Sequence, residues 1–97
     1  MTSYEIKPSL RKILNKLSKK DKEIYEQILE KIEEIINSGN INHYKNLRKP
    51  LQYLKRVRIR KSFVLTFRYF ESEDKVVFYH YDHHDRIYNK PQNLLND

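Results

Sequence analysis

Between Phe78 and Tyr88 the chain reads FYHYDHHDRIY. Three imidazoles (His80, His83, His84), two carboxylates (Asp82, Asp85) and three phenols (Tyr79, Tyr81, Tyr88) fall within eleven residues. Two chemistries draw on such a set. A metal ion would take imidazole nitrogens and carboxylate oxygens, but the spacing is poor for one ion. On an extended strand His80 and Asp82 share a face while His83 points away. The chain has no cysteine to add to them. General acid–base work fits better. Imidazole titrates near neutral pH and relays protons. Tyr88 stands four residues after His84, so a single helical turn would bring the two together. Tyrosine holds its proton to about pH 10, and nearby cations lower that value. Each residue also has a purely structural reading. Tyr88 could anchor the tail, His80 could be an ordinary strand residue, and Asp85 could cap a short helix.

The chemistry depends on what the rest of the chain sets beside this tail. From Lys45 to Lys61 it reads KNLRKPLQYLKRVRIRK, with eight lysines or arginines in seventeen residues and no acid. Alternation puts Arg56, Arg58 and Arg60 on one side of a strand, roughly 7 Å apart at each step. Such a row repels itself unless it meets a polyanion. A phosphate chain is the natural partner, because neutralised phosphates release counterions and arginine forks onto phosphate oxygens. Cleavage of RNA by its own 2′-hydroxyl needs a base for that hydroxyl, an acid for the departing 5′-oxygen and positive charge for the phosphorane. Arg56, Arg58, His83, His84 and Tyr88 could supply all three if strand and tail are neighbours. Lys45, Arg48, Lys49, Lys55, Arg60 and Lys61, with Arg68 further on, complete the candidate RNA-binding set. The alternatives are a solvated edge strand, whose charges block aggregation, and a surface for an acidic protein.

The elements that would position these groups follow from periodicity. Tyr4 to Lys7 alternates weakly as a short first strand. Pro8-Ser9 opens a helix with Leu10, Ile13, Leu14 and Leu17 on one face. Ser18 to Asp21 resembles a capping box for a second helix, whose stripe is Ile24, Ile28, Ile32, Ile35 and Ile36. Gly39, the only glycine, stands where a helix end favours positive φ. The period then becomes two. Leu54 to Lys61, Phe63 to Phe70 and Val76 to Tyr81 read as three strands, with Glu71 to Asp74 as a polar turn. We expect an α+β fold in the order β-α-α-β-β-β with a short C-terminal helical turn. An antiparallel helical hairpin packs on one face of a small antiparallel sheet and leaves the other face open.

Composition sets the outer bounds. Ninety-seven residues make one ordinary domain with a modest core. The formal charge of +7 favours nucleic acid, an anionic surface or an acidic protein. No run reaches the ~18 apolar residues of a spanning helix, and the start lacks a signal-peptide core. A cytoplasmic protein with no membrane partner is the expectation.

Taken together, the basic strand LKRVRIRK, the apolar strand SFVLTFRYF and the ending VVFYHYDHHDRIY resemble the RelE/ParE toxin superfamily, and the RelE-type toxins most. LRKPL and HHDRIY are the most specific pieces, the latter similar to the family's His-Arg-Asp-x-x-Tyr tail. The resemblance spans Tyr4 to Tyr88 and makes residues 1–97 a single RelE-like toxin domain. It implies an mRNA interferase of a type II toxin–antitoxin system. Such a toxin cuts A-site codons on the ribosome through 2′-hydroxyl attack, without metal or other cofactor, and an acidic RelB-like antitoxin silences it. By position, Arg56 and Arg58 match the family's strand cations, Tyr88 its tail tyrosine and His83 its tail histidine. His84 stands where the pattern often has arginine, and Val64 near where many members carry one. Arg60, Lys61 or Arg68 could replace that missing cation. The ParE-like branch, which poisons gyrase without cutting RNA, and a non-catalytic RNA- or protein-binding module are the alternatives.

Overall fold

The computed structural model describes residues 2–87. Strand β1 (Ser3–Ile6) leads into helix α1 (Pro8–Lys20) and helix α2 (Lys22–Ile36). After a longer connection come β2 (Lys55–Ile59), β3 (Phe63–Phe70), β4 (Lys75–His83) and a single turn of helix, α3 (His84–Ile87). The strand order across the sheet is β1-β4-β3-β2. The meander β2-β3-β4 is antiparallel, as its short connections require. The sheet as a whole is mixed, not antiparallel, because β1 joins β4 in parallel. The helical hairpin carries the chain away before it returns, so β1 is free to run alongside the last strand.

Helices α1 and α2 cover one sheet face. Leu10 and Leu14 from α1 and Ile24, Ile28, Ile32 and Ile35 from α2 meet Ile59, Leu65, Phe67, Val76, Phe78 and Tyr81 from the sheet. Phe67 and Phe78 lie fully buried with ring centroids 5.8 Å apart, and Tyr44 closes edge-on to Phe67 at 5.6 Å. The opposite face, expected to be open, is partly covered. Leu47, Leu51 and Leu54 from the 45–54 connection pack with Val64, Val77, Tyr79 and Ile87 into a second, smaller core. Apolar residues at both parities of β3 made this necessary: Val64, Leu65, Thr66 and Phe67 are all buried, so both faces need a lid.

Two local expectations are corrected. Ser18 lies inside α1 and bonds the Asn15 carbonyl, so it caps nothing. Asp21 alone separates the helices, and its carboxylate accepts from the Ile24 amide as the α2 cap. Gly39 has no positive φ; Asn37 closes α2 in a right-handed conformation, its amide bonded to the Glu33 carbonyl. Among the described residues the positive-φ positions are Arg60 and Asp74, both at strand turns. Asp74 is among the residues that tolerate this region, and its carboxylate accepts from Tyr69 Oη at 2.9 Å and from the distant Thr2 Oγ1 at 3.0 Å.

Replacing Phe67 by alanine should remove the shared ring packing at the centre of the larger core. We expect a loss of about 3–5 kcal/mol in urea-unfolding stability. A loss under about 1 kcal/mol would mean that this ring is not where the two layers are joined.

Candidate nucleic-acid interface

Cross-strand register decides which side chains share a surface. Arg58 is opposite Val64, and Val64 is opposite Asp82. Arg56 is opposite Thr66, and Thr66 is opposite His80. Val64 belongs to the smaller core, so both arginines stand on the face away from the helices. Strand spacing of ~4.8 Å puts Arg58 roughly 10 Å from Asp82 across β3. Sequence reading passed over Asp82 as a neighbour of the cations, although its i, i+2 relation to His80 was visible. A bulge at Thr66/Phe67 sets Tyr79 as an extra residue in β4, and so re-aims His80 and everything after it.

The expected cations separate into groups. Arg56 is half-buried and Arg58 exposed on β2. Lys45, Arg48 and Lys49 are exposed on the connection that folds back along β2, where Arg56 N–H bonds the Lys45 carbonyl at 2.9 Å. Lys55 faces the other way. Its ammonium donates to the carbonyls of Asn42 (3.4 Å) and Tyr44 (3.1 Å) and to Asn46 Oδ1 (3.1 Å), which ties the connection down. Arg60 leaves the row, because β2 ends at Ile59 and the chain turns there at φ 62. Its guanidinium reaches α2 instead, 3.3 Å from Glu23 and 3.4 Å from Gln27. Lys61 is exposed at the hairpin tip. Arg68 lies at the far end of β3, stacked over Phe70 at 4.6 Å and Tyr53 at 5.8 Å.

The histidines also part. β4 runs two residues beyond its expected end, so His83 is a strand residue opposite Phe63 and meets that ring edge-on at 5.5 Å. Phe63 stacks in turn on Tyr81 of the helix-side core. His83 is therefore on the helix side of the sheet, away from Arg56 and Arg58. Its Nδ1 accepts the Asp85 amide at 3.2 Å, so the cap of α3 is His83 and not Asp85. The Asp82 carboxylate holds the same corner through the His83 amide at 2.7 Å. His84 starts α3, its amide bonded to the Ser62 carbonyl at 2.7 Å. Ile87, three residues on, is buried in the smaller core. The i, i+3 relation thus leans His84 towards the arginine face. Tyr88 lies outside the described residues. Among the described residues no group of three or more His, Cys, Asp or Glu side chains converges as a metal site would need.

The tail phenols within the fold are not easy proton donors. Burial raises the Tyr81 value above the ordinary tyrosine range, with the Arg60 guanidinium pulling it down less strongly. Burial likewise raises Tyr79 against an opposing pull from Arg68. Both hold their protons more tightly in the fold than in the unfolded chain. The stability they contribute is complete below about pH 10, the unfolded value. It is lost as pH rises through the higher folded values. Urea-unfolding stability should therefore fall steeply from about pH 10 upward, and Tyr81→Phe should make that fall shallower. An identical slope in wild type and variant would contradict a buried, neutral Tyr81.

These features define an α+β domain in which two helices back a four-stranded mixed sheet, with an arginine strand and a histidine turn at one end of the other face. Solved structures share this architecture. The RelBE2 toxin–antitoxin complex of Mycobacterium tuberculosis contains a chain similar to this one at 22% identity and TM-score 0.68, covering 84% of this chain and 90% of that one. A conserved hypothetical protein of Helicobacter pylori, solved in solution, aligns at 17% identity and TM-score 0.55, covering 90% and 99%. No family model matches the sequence. In sequence, the Methanocaldococcus jannaschii protein named "Putative toxin RelE4" is 56% identical over 90 residues, 93% of this chain and 94% of that protein. An uncharacterized Methanosarcina mazei protein is 45% identical over 88 residues, 91% and 100% of the two chains. The chain belongs to the RelE family of toxins of toxin–antitoxin systems. No described helix is long and apolar enough to cross a membrane.

Proposed function

We propose that this RelE-family chain is a ribosome-dependent endoribonuclease that cuts mRNA within the A-site codon. The observation that carries this reading is the Arg56–Arg58 row on the sheet face towards which His84 leans, at the end of β4. The scissile phosphate lies against the two guanidiniums, which neutralise charge as it builds on the phosphorane. The 2′-hydroxyl loses its proton to a base and attacks phosphorus. The bond to the 5′-oxygen breaks, and that oxygen takes a proton from an acid. The products are a 2′,3′-cyclic phosphate and a 5′-hydroxyl. His84 and Tyr88 are the proton-transfer pair. His83, held by Asp85 and Phe63, orients the turn that carries His84. Lys45, Arg48, Lys49 and Lys61 hold flanking phosphates. Lys55, Arg60 and Arg68 keep the scaffold in shape through the contacts above.

The partners that follow are mRNA on the ribosome, in the cytoplasm, and an acidic RelB-like antitoxin. The antitoxin reading rests on the +7 charge and on the family. The antitoxin covers the cationic face when the toxin is silenced, and salt weakens the complex without abolishing it.

Induced expression of the intact chain should arrest growth, and co-expression of the antitoxin should relieve the arrest. Arg58→Ala should lower single-turnover cleavage by about 10²–10³-fold, and His84→Ala with Tyr88→Phe should abolish arrest at equal expression. Cleaved fragments should accept a 5′-phosphate from a kinase without prior dephosphorylation, as 5′-hydroxyl ends do. Undiminished arrest by the double variant would overturn the proton-transfer assignment.

A further inference from the structure

The β2–β3 hairpin tip carries an aromatic surface that the cleavage chemistry does not use. Phe63 is one of the few large apolar side chains left exposed, at 37%. Its ring lies parallel to that of Tyr81, with centroids 5.2 Å apart and planes 17° from parallel. Tyr81 beneath it is only 8% exposed and belongs to the larger core. His83 meets Phe63 edge-on at 79° and fixes its tilt from the side. Tyr81 thus backs one face of the ring and His83 one edge, and part of the remainder faces solvent. Arg60, Lys61, Ser62 and Phe63 form a shallow, open and mainly apolar surface at this point.

Here the ring extends a stack outward and stops. A planar π-system is what continues such a stack, and the cations beside it choose a planar group attached to phosphate. Lys61 is exposed, and Arg60 is fixed by Glu23 and Gln27 within the same wall. Arg60 stays near the aromatic pair because the chain turns at φ 62, a conformation uncommon for a long side chain. We propose that Phe63 is a nucleobase-stacking shelf, and that an unpaired RNA base completes the series Tyr81–Phe63–base while Lys61 contacts its phosphate. Stacking of this kind tolerates any base, because every base has a π-face. The shelf therefore holds strand position rather than reading sequence. It sits beside the histidine turn, since the Ser62 carbonyl accepts the His84 amide. The shelf lies on the helix side of the sheet, across its edge from Arg56 and Arg58, so a base held there belongs to a nucleotide flanking the reacting one.

This inference rests on the RNA-binding reading above but not on cleavage, so its test uses strands that cannot be cut. The chain has no tryptophan, so Phe63→Trp creates a single fluorescent reporter at the shelf. Titration of a 2′-deoxy-substituted tetranucleotide into this variant should quench the tryptophan. The same strand with an abasic site at each position in turn should leave one position at which quenching is lost. By anisotropy, Phe63→Ala and Phe63→Leu should each weaken binding about ten-fold, within the range for loss of one base–aromatic stack. Leu keeps the apolar cover over Tyr81, and an unchanged melting temperature for that variant separates a lost stack from a damaged fold. An RNA hairpin with one unpaired base serves as a second probe. Quenching by the tetranucleotide alone points to the message as the source of the base, and quenching by the hairpin alone to structured RNA. Wild-type affinity in both Phe63 variants, with no quenching in Phe63→Trp, would overturn the shelf while leaving RNA binding intact. No binding of either RNA by wild type would overturn the RNA-binding reading and the shelf with it. If Phe63→Leu weakened only antitoxin binding, the surface would belong to a protein partner and the shelf would be wrong.

Discussion

The constraint on which the rest depends is the burial of β3 on both faces. Val64 and Thr66 point one way and Leu65 and Phe67 the other, and all four are inaccessible to water. The helical hairpin satisfies one side. A ten-residue connection from Lys45 to Leu54 satisfies most of the other with Leu47, Leu51 and Leu54. That connection covers only the start of the β2 edge, where Asn46 pairs with Lys55 and the Arg56 amide bonds the Lys45 carbonyl. What stays open is the end of the sheet near Arg58, Asp82 and the start of α3. The candidate site is thus the part of a two-sided sheet that a short chain cannot close.

Charge is arranged to match. Lys55 and Arg60 belong to the same basic strand region as Arg56 and Arg58, yet both are spent on the protein itself. Lys55 satisfies two carbonyls and an amide oxygen of the 42–46 segment. Arg60 ties a strained hairpin tip to α2. Exposed ion pairs such as Arg60–Glu23 contribute little, at most about 1 kcal/mol. The pair's use is in position: it keeps the tip, and with it Phe63, against the helical layer. Arg56 and Arg58, by contrast, stand on the face that stays open.

Much of this was legible in the sequence. Helical periodicity located both helices, because one apolar stripe per turn has no other explanation. The alternation of Arg56 and Arg58 with Val57 and Ile59 assigned their faces correctly. The parallel placement of β1 could not be read, because four residues with weak alternation carry no record of their neighbour. Nor could the second core: Leu47, Leu51 and Leu54 sit among basic and turn residues without a period. The histidine turn was the hardest part. A single bulge at Tyr79 decides on which face every later residue of β4 falls, and nothing in VVFYHYDHH marks it. The separation of His83 from His84 follows from that bulge and from the two extra residues of β4.

The central claim is that the open end of the sheet cuts RNA on the ribosome. Its most direct test programs purified translating ribosomes with a defined mRNA, adds the protein and maps new RNA ends by primer extension. The account predicts ends within the A-site codon, absent from naked mRNA and strongly reduced with Arg58→Ala. Intact mRNA under these conditions, from folded protein that still arrests growth, would contradict it and turn attention to gyrase.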